Sequence, residues 1–136
     1  MVDSEFVVPW IQKAENDIST ARHLAEKMYP IPTEIVCFHC QQAAEKYLKA
    51  FLVWNNQEPP KIHDLIELAK LCSRFDESFL LLSPKCEYLI PFATRTRYPG
   101  TSDLDYGDIK MALAYAQDII NSIKPKIILS QVIPEN

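Results

Sequence analysis

The sequence predicts an all-α protein, and three observations carry that expectation. The stretch 37–54, CFHCQQAAEKYLKAFLVW, holds neither Gly nor Pro and is rich in Ala, Leu, Lys, Gln and Glu, the composition of a helix. Apolar side chains recur at steps of three and four both there and near the C-terminal end, which is helical spacing. No segment shows the period-two alternation of a half-buried strand.

The first helix is expected to begin near Pro9, a residue tolerated in a first turn because its missing N–H would be unpaired there anyway. Trp10, Ala14, Ile18, Ala21, Ala25 and Met28 form its apolar stripe, with Leu24 beside them, and Pro30 and Pro32 stop it. Thr33 reads as the N-cap of the central helix, with Glu34 in the first turn, where the helix dipole favours an anion. That helix turns Val36, Cys40, Ala43, Ala44, Tyr47, Leu48, Phe51 and Leu52 inward. His39, Gln42, Lys46 and Lys49 make a polar, mostly basic stripe expected to be free to meet a partner. Two long helices joined by so short a loop pack antiparallel.

The segment NNQEPPK after Trp54 is a connector, since adjacent prolines forbid helix. His63 and Asp64 open a shorter helix with Leu65, Leu68, Ala69 and Cys72 inward. Ser83 and Pro84 read as N-cap and first helical residue of the next, which buries Cys86, Leu89, Ile90 and Ala93, bends at Pro91 and ends before Pro99 and Gly100. The last helix starts between Asp105 and Asp108 and carries Ile109, Leu113, Ala116, Ile120 and Ile123, a narrow two-in-seven seam suited to helix packing. Pro125 ends it. Residues 126–136 form a short apolar tail that caps the bundle or stays partly disordered.

At 136 residues the chain fits one domain, 1–136, with a core that needs no disulfide or metal. No apolar run is long enough to cross a bilayer, and the start, MVDSEFVVPW, lacks the pattern of a secretory signal, so a cytoplasmic location is expected. With 14 Lys and Arg against 18 Asp and Glu the net charge is −4, which disfavours an extended nucleic-acid track but leaves room for a compact cationic spot.

Four segments, WIQKAENDISTA (10–21), CFHCQQAAEKYLKAFL (37–52), PKIHDLIELAKLC (60–72) and RTRYPG (95–100), occur in an order in which the chain resembles the HEPN domain family. The resemblance implies an antiparallel up-and-down four-helix bundle with an additional short helix, and a symmetric homodimer. It also implies a minimal nucleotidyltransferase as the other half of a toxin–antitoxin-like pair. Many HEPN proteins are metal-independent ribonucleases marked by an Arg followed, after four to six residues, by a His. Here the chain departs from the pattern. Gly100, Thr101 and Ser102 stand where Arg95 would require the His, and Ser102, Asp103 and Leu104 where Arg97 would. Without that imidazole the evident general acid or base is missing, which favours a binding module that holds a nucleotide or RNA phosphate.

The ligand-binding candidates are Arg95, Arg97 and Tyr98, where two arginines, a phenol and a Pro-Gly turn suit an oxyanion, together with Lys46 and Lys49. A solvated face with Glu45 paired to Lys49 is the plainer reading of the lysines. The alternative, a ribonuclease with a replacement acid or base, would use Arg97, Tyr98 and His63; for His63 the plainer reading is a hydrogen bond to the preceding loop. Cys37 and Cys40, with Cys72 and Cys86 distant, read as core packing and not as a zinc site. Asp103, Asp105 and Asp108 read as helix-start partners and not as a cation site. No cofactor is expected.

Overall fold

The computed structural model describes residues 4–94 and 103–127, and among them every regular element is helical. Five α-helices follow in order: α1 Ser4–Lys27, α2 Thr33–Trp54, α3 Leu65–Cys72, α4 Ser83–Leu89 and α5 Tyr106–Ile123. Short 3-10 segments span Glu77–Leu82, Ile90–Ala93 and Lys124–Lys126. Arg95, Arg97 and Tyr98, and the tail beyond Ile127, lie outside the described residues.

The central helix of the sequence is also the centre of the fold. α1, α3, α4, α5 and the Ile90–Ala93 turn all pack on α2, α1 most extensively. Val36, Cys37, Cys40, Ala43, Ala44, Tyr47, Leu48 and Ala50 are fully enclosed. Burial extends round the helix to Gln41, Glu45 and Lys49. The expectation of an open polar side on α2 is therefore only partly met. Short apolar residues let neighbours approach from several directions, and a carboxylate from α1 and a histidine from the loop before α3 cover the basic stripe.

Several helix ends differ from the sequence reading. α1 starts before Pro9, which lies inside it, and the earlier start buries Val7 completely. Burying a valine is worth about 1.5–3 kcal/mol, enough to offset the single backbone bond a proline removes. Thr33 is the first residue of α2, not its cap; Pro32 takes the N-cap position and its carbonyl accepts from the Val36 N–H at 3.0 Å. Ser83 likewise falls inside α4, with Leu82 at the cap. Asp64 does cap α3, accepting from the N–H groups of Ile66 and Glu67 at 2.9 and 3.2 Å. The bend expected at Pro91 takes the form of a change from α-helix to the 3-10 turn Ile90–Ala93.

Asp105 and Asp108 form a reciprocal capping box at the start of α5, with bonds of 3.1 and 3.0 Å, as the cap reading required. The buried side of α5 is broader than the predicted seam. Ala112 and Ile119 join Ile109, Ala116, Ile120 and Ile123, whereas Leu113 is only half-buried. The reason is that α5 packs on three helices, α1, α2 and α4, and not on one. The 3-10 segment Glu77–Leu82, not foreseen, inserts Phe79 into the core, its ring 4.5 Å from that of Phe51.

Candidate functional site

Ionisable side chains gather along α2 in two sets, each built on a carboxylate sunk beneath the surface. In the first, α1 presents Asp17, on the same side as the fully buried Ala14 and Ala21. Its Oδ2 is 2.5 Å from Nζ of Lys46 and its Oδ1 2.8 Å from Nδ1 of His39. A carboxylate can only accept, so Nδ1 of His39 carries the proton and Nε2 is the ring nitrogen left for another partner. Lys46 keeps 23% of its side-chain surface and His39 26%, so both side chains are partly open to solvent. The Phe38 ring packs edge-on against the His39 imidazole.

In the second set the carboxylate belongs to α2 itself. Glu45 accepts from Nζ of Lys49 at 3.0 Å, from Nε2 of Gln41 at 3.0 Å, and from Nδ1 of His63 at 3.0 and 3.1 Å. Gln41 also reaches the His63 carbonyl, and Gln42 donates to Oε1 of Gln41 at 2.7 Å. Burial pushes the Glu45 carboxyl up, but the bonds from Gln41, Lys49 and His63 and the Lys49 charge outweigh it and hold the group below its ordinary 4.5. The pair is almost dry, with 8% of Lys49 and 6% of Glu45 exposed, whereas 60% of the His63 side chain is open to solvent.

The sequence candidates thus separate. Lys46 lies at the surface and contacts Asp17, while Lys49 makes the expected pair with Glu45 inside the protein and not on a solvated face. His63 bonds Glu45 and not the loop before it. Arg95, Arg97 and Tyr98 fall outside the described residues. The four cysteines are buried; burial, then the Cys86 thiolate charge for Cys72 and the Asp64 charge for Cys86, pushes these two thiols up to about 12. Among the described residues no group of three His, Cys, Asp or Glu is arranged to hold a metal ion, and no helix is long and apolar enough to cross a membrane.

Sequence reasoning passed over Asp17 and His39 as partners. A signal was present: Asp17 follows Ala14 by three positions and precedes Ala21 by four, so an acid sits on the inward stripe and needs a cation there. Beside Lys46 a cavity of about 370 Å³ opens between α1 and α2, lined by Pro9, Trp10, Lys13 and Lys46.

A family model described as the HEPN domain matches residues 7–126. The crystal structure of ST0689, an archaeal HEPN homologue, superposes with a TM-score of 0.65 at 24% identity, over 93% of this chain and 99% of that one. The crystal structure of TT1696 from Thermus thermophilus gives 0.71 at 21% identity, over 88% and 97%. Likeness at such identities speaks for the fold alone. No curated protein matches the chain.

Proposed function

This chain belongs to the HEPN domain family, and from that premise we propose that it is a dimeric helical binding module, the cytoplasmic partner of a nucleotidyltransferase in a toxin–antitoxin-like pair, that holds a phosphate of a nucleotide or RNA. The observation that carries the reading is the attachment of two partly exposed groups of α2, His39 and Lys46, to the one sunken carboxylate of Asp17. Side chains fixed in this way lose little rotamer freedom on meeting an oxyanion. Arg95, Arg97 and Tyr98 are assigned as further contacts from the sequence. Lys49, bonded within the protein, serves by holding Glu45 in place. The absent motif histidine supports binding over cleavage. For the dimer, the support is the exposed apolar group Met28, Tyr29 and Ile35 at the α1–α2 hinge.

Light scattering at micromolar concentration tests the assembly, with a mass about twice 15.6 kDa expected. Calorimetric titration tests the ligand: binding of phosphate or nucleotide should saturate and fall only gently with salt, because few counterions are displaced. A monomer that binds neither refutes the proposal.

A further inference from the structure

A histidine at a protein surface ordinarily turns freely, because ordering an exposed side chain costs entropy that no burial offsets. His63 does not fit that description. Its side chain is 60% open to solvent, yet Nδ1 donates at 3.0 and 3.1 Å to the two oxygens of Glu45, which is almost wholly enclosed. The main chain of the same residue is tied down as well, its carbonyl accepting from Nε2 of Gln41 at 3.3 Å. Glu45 is in turn fixed by Gln41 and by Lys49, each at 3.0 Å. Stability does not account for this arrangement, since a buried ion pair is often no more stabilising than apolar side chains of the same volume. What the buried groups supply is a carboxylate locked against an open imidazole.

The chemistry of such a pair is nucleophilic. The carboxylate fixes the tautomer that leaves the lone pair on Nε2, and it meets the positive charge that the ring takes on when Nε2 forms a bond. The other two histidines each lack a part of this. His39 also bonds a carboxylate through Nδ1, but it is only 26% exposed, shares Asp17 with Lys46 and has the Phe38 ring at its edge. His23 is exposed and has no side-chain partner among the described residues. Asp64, next to His63, turns its carboxylate to the N–H groups of Ile66 and Glu67 and not to the ring. Lys61, exposed and without an ion-pair partner among the described residues, adds a cation to the same loop. We propose that Nε2 of His63 is a phosphoryl acceptor, modified by donors of the phosphoramidate class, with Glu45 as its positioning residue. Nε2 attacks phosphorus as the donor's phosphorus–nitrogen bond breaks. The donor nitrogen, already protonated, leaves with the bonding pair as ammonia or an amine, and the Nδ1 proton stays on the ring against Glu45. The site shares no residue with the Asp17 set.

The test treats the whole chain with phosphoramidate itself and reads the product by tandem mass spectrometry for position and by phosphorus NMR for the linked nitrogen. The chain supplies its own controls, having three histidines, His23, His39 and His63. The expected product is one acid-labile phosphoryl group on Nε2 of His63, formed about tenfold faster than any at His23, the ratio that one charge-assisted hydrogen bond to the reacting ring gives. His63→Gln should abolish it in a chain that remains helical. Glu45→Gln/Lys49→Met strands no buried charge and should keep the fold while bringing the rate at His63 down to that at His23, a change that a purely structural role for Glu45 would not produce. Equal rates at His63 and His23 in the unaltered chain, faster reaction at His39, linkage through Nδ1, or no phosphoryl transfer at all overturns the proposal. So does an undiminished rate at His63 in the folded double variant.

Discussion

Replacing Glu45 by Gln keeps the shape of the side chain but removes its charge and turns one of its two acceptor oxygens into an NH2 donor. Lys49 is left with a side chain only 8% exposed and no carboxylate, and Gln41, Lys49 and His63 are left with one acceptor oxygen in place of two. Removing one partner of a buried pair costs about 3–5 kcal/mol, because the other charge remains buried without compensation. For a chain of this size that corresponds to a fall in Tm of about 10–15 °C, at about 3 °C per kcal/mol. The comparison is Asp118→Asn, which breaks the exposed pair with Lys85, whose two side chains keep 49% and 37% of their surface, and should cost less than about 1 kcal/mol. Urea unfolding followed by circular dichroism at 222 nm measures both. The double variant Glu45→Gln/Lys49→Met should recover much of the loss, since no buried charge is stranded. The pH dependence has a definite sign. The Glu45 carboxyl is held below its ordinary 4.5 in the folded chain, so its contribution is complete above that value and disappears as pH falls through the lower folded value. Glu45→Gln should flatten that acid limb. A cost near that of Asp118→Asn, with no recovery in the double variant, would refute a dry pair at this position.

Two further outcomes follow from the fold. The thiols of Cys72 and Cys86, pushed up to about 12 and fully buried, should resist a thiol-reactive probe at pH 8 in the native chain and react at once in denaturant; rapid native labelling at either position would contradict their burial. Asp105→Ala removes one half of the capping box on α5 and should lower unfolding free energy by about 1 kcal/mol, with Asp108→Ala no better tolerated because its carboxylate also accepts from the Tyr88 hydroxyl at 2.7 Å; unchanged urea midpoints for both would remove the cap from the account.

Local chemistry that acts within a few residues was readable along the chain. Asp64 and Asp105 cap helices because a short acidic side chain can reach N–H groups two or three positions on, whatever else the protein does. The Pro91 break and the pairing of Glu45 with Lys49 are of the same kind. Readings failed where a local preference competed with burial. Thr33 and Ser83 entered their helices instead of capping them, and the turn containing Phe79 formed because an aromatic ring found a place against Phe51.

By itself the sequence determined that this is a helical HEPN chain centred on residues 37–54, since helical periodicity and the absence of Gly and Pro act through bonds within one segment. Only the tertiary structure decided which charges are spent internally and which reach the surface. Lys46 and Lys49 are three positions apart on one helix and indistinguishable by type, yet one meets Asp17 at the rim of a cavity and the other is enclosed with Glu45. That outcome depends on where α1 and the loop before α3 cross α2. The energy of a charge depends on the polar and apolar atoms packed around it, which come from segments far away in the chain.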